Sequence, residues 1–173
     1  MLFLAAATFA QATGGQNRVE LHLHTQKFSD KVLFAWVGDH MQTIRVVALS
    51  TARGVVVIES NQSRSADVRI RQAIEKEFGR KDFKYLINTH FHHDHVCGNQ
   101  VYADATVVGH RTVPEGMKSE LTGEGMVKLL EMFNAHVQDW GERQKKAVPD
   151  SRDYHFFREG VILAKTTIAE LHE

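Results

Sequence analysis

The sequence predicts an α/β fold, and three observations predict it. Short apolar segments with strand character recur up to about residue 110, among them Val55-Val56-Val57-Ile58 and Phe83-Lys84-Tyr85-Leu86-Ile87-Asn88. Between those two lies a stretch of helical periodicity, with Ala66, Ile70, Ala73 and Ile74 on one stripe. The second apolar segment then runs straight into Thr89-His90-Phe91-His92-His93-Asp94-His95. In open sheets with helices on their faces, the end of a strand is a favoured place for a site.

Taken in order, the chain opens with Leu2 to Ala10, apolar and small, followed by Ala10-Gln11-Ala12, which has the form of an A-x-A cleavage site. No basic residue precedes Arg18. Residues 1–17 therefore read as a clipped secretory signal, with an ordinary mobile N-terminus as the alternative. The first reading makes the protein periplasmic or secreted, the second leaves it cytoplasmic, and residues 18–173 form the domain. Arg18 to Phe28 alternates Val19, Leu21 and Leu23 with polar partners, as an edge strand does. His22 and His24 fall on its polar phase and read as a solvated face, an extra metal site being the alternative. Lys31 to Val37 is a second strand, with Trp36 in the core or at its rim. Ile44–Leu49 and Gly54–Ile58 flank the turn Ser50-Thr51-Ala52-Arg53 and form an antiparallel hairpin.

Ser63 or Ser65 can cap a helix that runs to Phe78, with Gly79 as its stop. After the His-rich stretch, Gly98 permits a tight backbone and Asn99 can cap the next short helix. Ala105 to Gly109 is another strand, and His110 at its end is either a site residue or a loop residue. From Gly123 to Trp140 the residues Met126, Leu129, Leu130, Phe133, Val137 and Trp140 form an amphipathic stripe, expected to pack on the sheet. His136 lies beside it. Glu142 to Lys146 is a polar, solvated stretch, and Val161 to Ile168 reads as the start of another strand.

Composition narrows the function. The 173 residues carry 21 Lys and Arg against 21 Asp and Glu, so no basic field points to nucleic acid. No apolar run approaches the roughly 20 residues of a membrane helix. The single cysteine, Cys97, excludes an intrachain disulfide framework. What stands out is eleven His, four of them between residues 90 and 95.

Imidazole and carboxylate are the usual ligands of Zn²⁺ and similar cations. In an extended chain, positions two apart point the same way, so His90 and His92 can close on one ion. Asp94 and His95 follow after a turn and can serve a second, adjacent ion. A helical reading would pair His90 with Asp94, but the preceding run is strand-like and no cap precedes the cluster. His93 is expected to point away.

The pattern His-x-His-x-Asp-His after an apolar strand, followed by Val96-Cys97-Gly98-Asn99, resembles the signature of the metallo-β-lactamase superfamily. The resemblance extends upstream through Val55–Ile58 and the helix after it, and downstream through Ala105 to His110, covering roughly residues 19 to 115. It implies an αββα sandwich of two sheets with helices on the outer faces. It also implies a zinc-dependent hydrolase acting on a small-molecule substrate: a lactam, lactone, thioester or other ester. His90 and His92 would bind a first zinc, Asp94 and His95 a second, and a metal-activated water would attack the carbonyl. Asp94 would also be catalytic, orienting the water and moving a proton. In the family an Asp commonly ends the second strand of the hairpin; this chain has Glu59-Ser60-Asn61, where Glu59 is one methylene longer. Cys97 stands where the family often has Gly. The family's remaining ligands come from its second half. After residue 115 this chain offers only His136, His155 and His172, none in a Gly-His-Thr setting. The strands before residue 110 also carry an apolar face that expects a facing sheet. The chain thus reads as the first half of a longer enzyme. The alternatives are a non-catalytic metal-binding module, or a complete small enzyme that uses His155 or a partner subunit.

Overall fold

A six-stranded sheet organises the chain in the computed structural model, which describes residues 21–41 and 43–173. The expected signal or mobile start at residues 1–17 lies outside the described residues. The strands lie side by side in chain order: β1 (Leu23–Ser29), β2 (Val32–Val37), β3 (Val46–Thr51), β4 (Gly54–Ile58), β5 (Phe83–Asn88) and β6 (Thr106–Gly109). From β1 to β4 the pairing is antiparallel; from β4 to β6 it is parallel. The connections explain the switch. A tight turn joins β3 to β4, whereas β4 reaches β5 through helix α1 (Arg64–Phe78). β5 reaches β6 through the short α2 (His93–Val96) and a 3-10 turn at Asn99–Tyr102.

Side-chain alternation decides which face closes. On β2, Leu33, Ala35 and Val37 are buried while Val32, Phe34 and Trp36 are half-buried. The buried set continues through Val46, Ala48, Val55, Val57, Phe83 and Leu86, and meets Ile70 and Ile74 of α1 and the ring of Tyr102. Fully burying such a side chain contributes about 1.5–3 kcal/mol, so this face carries the core. On the other face Val56, Ile58 and Ile87 are half-buried, and Tyr85 and Val108 are exposed. Among the described residues there is one sheet, so the two-sheet sandwich is represented by this sheet and its helices.

Helix α1 begins where the sequence places it, with Ser63 Oγ accepting the Ala66 N–H at 3.3 Å. The C-terminal third departs from expectation. Helix α3 (Val113–Leu121) has no counterpart in the sequence reading. Helix α4 runs from Gly123 to Lys146, straight through Gly141. Its apolar stripe does not lie on the sheet; Leu129 and Phe133 pack with Ala164, and Met126, Val137 and Trp140 gather around them. That partner belongs to α5 (Arg152–Leu171), where a strand was expected at Val161–Ile168. The β-branched residues suggested a strand, but burial follows a helical period, at Gly160, Leu163, Ala164 and Thr167. Ser151 caps this helix, its Oγ accepting the Tyr154 N–H. Helix α5 docks on the start of α1, where Glu170 accepts the Arg64 and Ser65 N–H groups at 2.7 and 3.0 Å. No helix among the described residues is long and apolar enough to cross a membrane.

Candidate metal centre

Parallel pairing of β4 and β5 delivers their C-terminal ends to one edge. Ile58 pairs with Ile87, and the Glu59 N–H continues the ladder onto the Ile87 carbonyl at 2.9 Å. Beyond β5 the backbone turns out, and buried amides fix the turn. Asn88 Nδ2 donates to the His95 carbonyl at 3.2 Å, and Asn99 Nδ2 donates to Asn88 Oδ1 at 2.8 Å. The Ser60 N–H and hydroxyl reach the same His95 carbonyl at 3.2 and 3.0 Å. Asn99 therefore does not cap the 3-10 turn with its side chain, as the sequence suggested; its amide ties the two ends of the loop together.

The loop gathers the sequence-selected residues. The His90 ring centroid lies 4.7 Å from that of His92 and 4.0 Å from that of His95. Asp94 Oδ2 is 3.5 Å from His95 Nε2. His93 opens α2 and points elsewhere. Its Nδ1 is 2.9 Å from Glu120 Oε1 of α3, and its ring meets Phe133 of α4 edge-on at 5.2 Å.

Glu59 joins this group. Its backbone takes a left-handed conformation, φ 66°, which is costly for a side chain of its size and recurs at functional sites. The carboxylate is almost fully buried. Oε1 accepts the Thr89 N–H at 3.0 Å, and Oε2 lies 3.0 Å from His95 Nδ1. With Nδ1 so engaged, Nε2 is the His95 nitrogen left to bind an ion. Ligand atoms of Glu59, His90 and His95 all lie within 4.8 Å of one another, close enough to hold a metal. His90 Nδ1 has its own partner, Thr89 Oγ1 at 3.0 Å. The extra methylene of Glu59 thus spans from β4 to the loop after β5.

Beneath the loop lies a residue that sequence reasoning passed over. Asp67 of α1 is buried, and its Oδ2 accepts the Asn61 N–H at 2.7 Å. Burial pushes its carboxyl up to about 7. Gly98 packs directly on it: a Cβ at position 98 would sit 1.6 Å from Asp67 Oδ2. Cys97 beside it is a partly buried free thiol, and burial pushes its pKa up to about 12.

The remaining histidines lie elsewhere. His110 is exposed beside Thr112, 2.9 Å from its hydroxyl. His136 stacks on Trp140 at 4.4 Å, and His155 stacks on His40 at 4.9 Å. His172 closes the C-terminus of α5. An open cleft of about 450 Å³ adjoins the metal loop, with His92 and Phe91 on one wall and Thr112, Glu115, Ser119 and Glu120 on the other.

A model of the metallo-beta-lactamase superfamily matches residues 46–164. Among solved structures, a HARLDQ-motif mutant of a metallo-beta-lactamase from Cronobacter sakazakii (Enterobacter sakazakii) aligns with 25% identity and a TM-score of 0.46, covering 56% of this chain and 38% of that one. A metallo-beta-lactamase from Hirschia baltica aligns with 13% identity and a TM-score of 0.46, covering 55% and 46%. The metallo-beta-lactamase FIM-1 from Pseudomonas aeruginosa, in its mono-zinc form, gives 12% and 0.44, covering 56% and 47%. The chain thus spans less than half the length of each of these structures. A comparison with curated proteins finds no match.

Proposed function

The chain belongs to the metallo-beta-lactamase superfamily, whose members are usually metal-dependent hydrolases, and from that premise we propose that it carries the first half of a zinc-dependent hydrolytic site. One observation supports this above the others: ligand atoms of His90, His95 and the buried Glu59 lie within 4.8 Å of one another at the ends of β4 and β5, with the His92 ring 4.7 Å from that of His90 and Asp94 Oδ2 3.5 Å from His95 Nε2. The donor set fits zinc. It is imidazole and carboxylate, and the His95 and His90 Nδ1 atoms are both engaged by neighbours, which leaves Nε2 for the ion.

In this reading His90 and His92 hold one ion, and Asp94 and His95 hold a second. Zinc bound there supplies Lewis acidity and lowers the pKa of water toward about 7. Glu59 fixes the tautomer and tilt of His95. Asp94, half-exposed at the start of α2, orients the attacking water and carries its proton toward the leaving group. The substrate is a small molecule with a lactam, lactone, thioester or other ester carbonyl, entering through the cleft beside His92. The second reading, a non-catalytic metal-binding module, has an observation of its own. The four loop residues supply two ligands per ion, where a catalytic zinc normally has three.

The test is metal analysis of the protein coupled to a hydrolysis panel. His92→Ala and Asp94→Ala are expected to lower bound zinc and turnover together, and His93→Ala to change neither. Loss of metal in His93→Ala with retention in His92→Ala would show the ligand assignment to be wrong. Zinc retained with no turnover on any carbonyl substrate would favour the non-catalytic module.

A further inference from the structure

A second group of metal-ligating side chains stands at the same end of the sheet, outside the loop after β5. His22 precedes β1 and His24 is its second residue, two positions apart and so on one face. Leu23 pairs with Val37, and the Gly38 N–H donates to the His22 carbonyl at 2.8 Å. The ladder therefore continues one step past β2 and brings the next residue, Asp39, against both imidazoles. Asp39 Oδ1 lies 3.2 Å from His22 Nδ1 and 2.5 Å from His24 Nε2. The three ligand atoms all fall within 4.8 Å of one another.

The arrangement is braced from two sides. The His24 ring stacks on Trp36 at 5.1 Å with 14° between planes, and Arg45 covers the Trp36 ring in turn. Behind Asp39, the buried Glu159 of α5 accepts three successive backbone N–H groups, from Asp39 at 3.1 Å and from His40 and Met41 at 2.8 Å each. His40 Nδ1 adds a fourth contact to the same carboxylate at 3.1 Å. Gly38 makes the wrap possible, with φ 91°, a conformation that L side chains rarely adopt. The peptide from which Asp39 projects is thus held by a group on a different layer of the molecule.

We propose that His22, His24 and Asp39 form a second divalent-cation site, which takes Zn²⁺ or a similar borderline cation such as Ni²⁺ or Cu²⁺ through two imidazole nitrogens and one carboxylate oxygen. Zinc bonds of about 2.0–2.2 Å put the ligand atoms of a tetrahedral site about 3.3 Å apart. The Asp39–His22 separation already matches, and a small swing of the Asp39 carboxylate accommodates His24. The site is open to solvent, since His22 retains 66% and Asp39 43% of their side-chain exposure, so water completes the coordination. It is a separate group from the one at the β5 loop, since β3 and β4 lie between β2 and β5 and the two sets of ligand atoms do not share a member. Glu159 is a positioning residue here and touches no ion.

Zinc titration by calorimetry tests this on the whole chain carrying His90→Ala, His92→Ala, Asp94→Ala and His95→Ala, which removes both ions of the loop site. One residual zinc per chain is expected, and adding His22→Ala or Asp39→Asn should weaken it at least about tenfold. His22 is exposed, so its removal leaves the fold intact, as circular dichroism would verify. In the otherwise unaltered chain, His22→Ala should lower the zinc count measured by mass spectrometry by one. Absence of a residual site, or a residual site indifferent to His22→Ala, overturns the proposal; the cluster is then an imidazole–carboxylate ion pair only.

Discussion

Two loops at one end of the sheet are held in related ways, and the difference between them is instructive. The loop after β5 is held by Glu59, which binds one backbone N–H and the Nδ1 of His95. The loop after β2 is held by Glu159, which binds three backbone N–H groups and the Nδ1 of His40. Both carboxylates are buried. Glu59 comes from the strand next door and buttresses the side chain of a candidate metal ligand, His95. Glu159 comes from a helix 120 positions along the chain and buttresses a backbone. Burial works against the charge of Glu159, yet the backbone N–H groups of Met41 and His40 outweigh it and hold its carboxyl below the usual range. The first loop also rests on Asp67, whose carboxyl is displaced the other way, up to about 7. One loop is therefore anchored by a charge and the other is seated on a group that prefers its proton.

The largest expected effect comes from that last contrast. A carboxyl whose pKa rises from 3.8 to about 7 on folding binds more protons in the native state across that interval. Its contribution to stability is fully present below pH 3.8 and is lost as pH rises through about 7. Summed over the interval, the loss is about 4 kcal/mol. Denaturant melts across this range should show stability falling as pH rises, and Asp67→Asn should flatten the slope. A wild-type profile that is flat there breaks the contrast.

Next in size is Glu159→Ala. It strips the acceptor from three backbone donors at once and should cost about 3 kcal/mol by chemical denaturation, with zinc binding at the β5 loop unchanged. Glu59→Gln should do the converse. Zinc affinity at the loop falls about 10–100-fold, read by competition with a chelating dye, while stability without metal changes by about 1 kcal/mol. Equal effects of the two substitutions on metal and on folding would erase the distinction. The smallest effect is at His155, whose ring stacks on His40. His155→Ala should cost about 1 kcal/mol and leave the zinc content of the β5 loop as it was.

The same contrast explains what could be read from sequence. The β5 loop was legible because its chemistry is local: His90, His92, Asp94 and His95 fall within six residues after an apolar strand. Glu59 was open to inspection as the residue ending the neighbouring strand. The strands were legible because alternation on β2 through β4 is set by a buried face. Asp39 and Glu159 were not legible, since neither has a local partner that marks it; a sheet register and a helix docking bring their partners in. Helix α5 misled because Val161, Ile162, Thr166, Thr167 and Ile168 look like strand residues, and its helical burial period appears only once α4 lies against it. Asp67 stands in the first turn of α1 with nothing in the sequence to single it out, and only the overlying Gly98 and Asn61 reveal that it is sealed.

Gly98 and Asp67 compete for one space. Any side chain at position 98 would overlap the carboxylate, so Gly98→Ala is expected to behave as a destabilising allele although position 98 lies outside the candidate metal ligands. The space it needs is the space Asp67 fills. A screen for second-site revertants of Gly98→Ala should therefore return small residues at position 67, since position 98 gains room for a side chain only when position 67 gives it up.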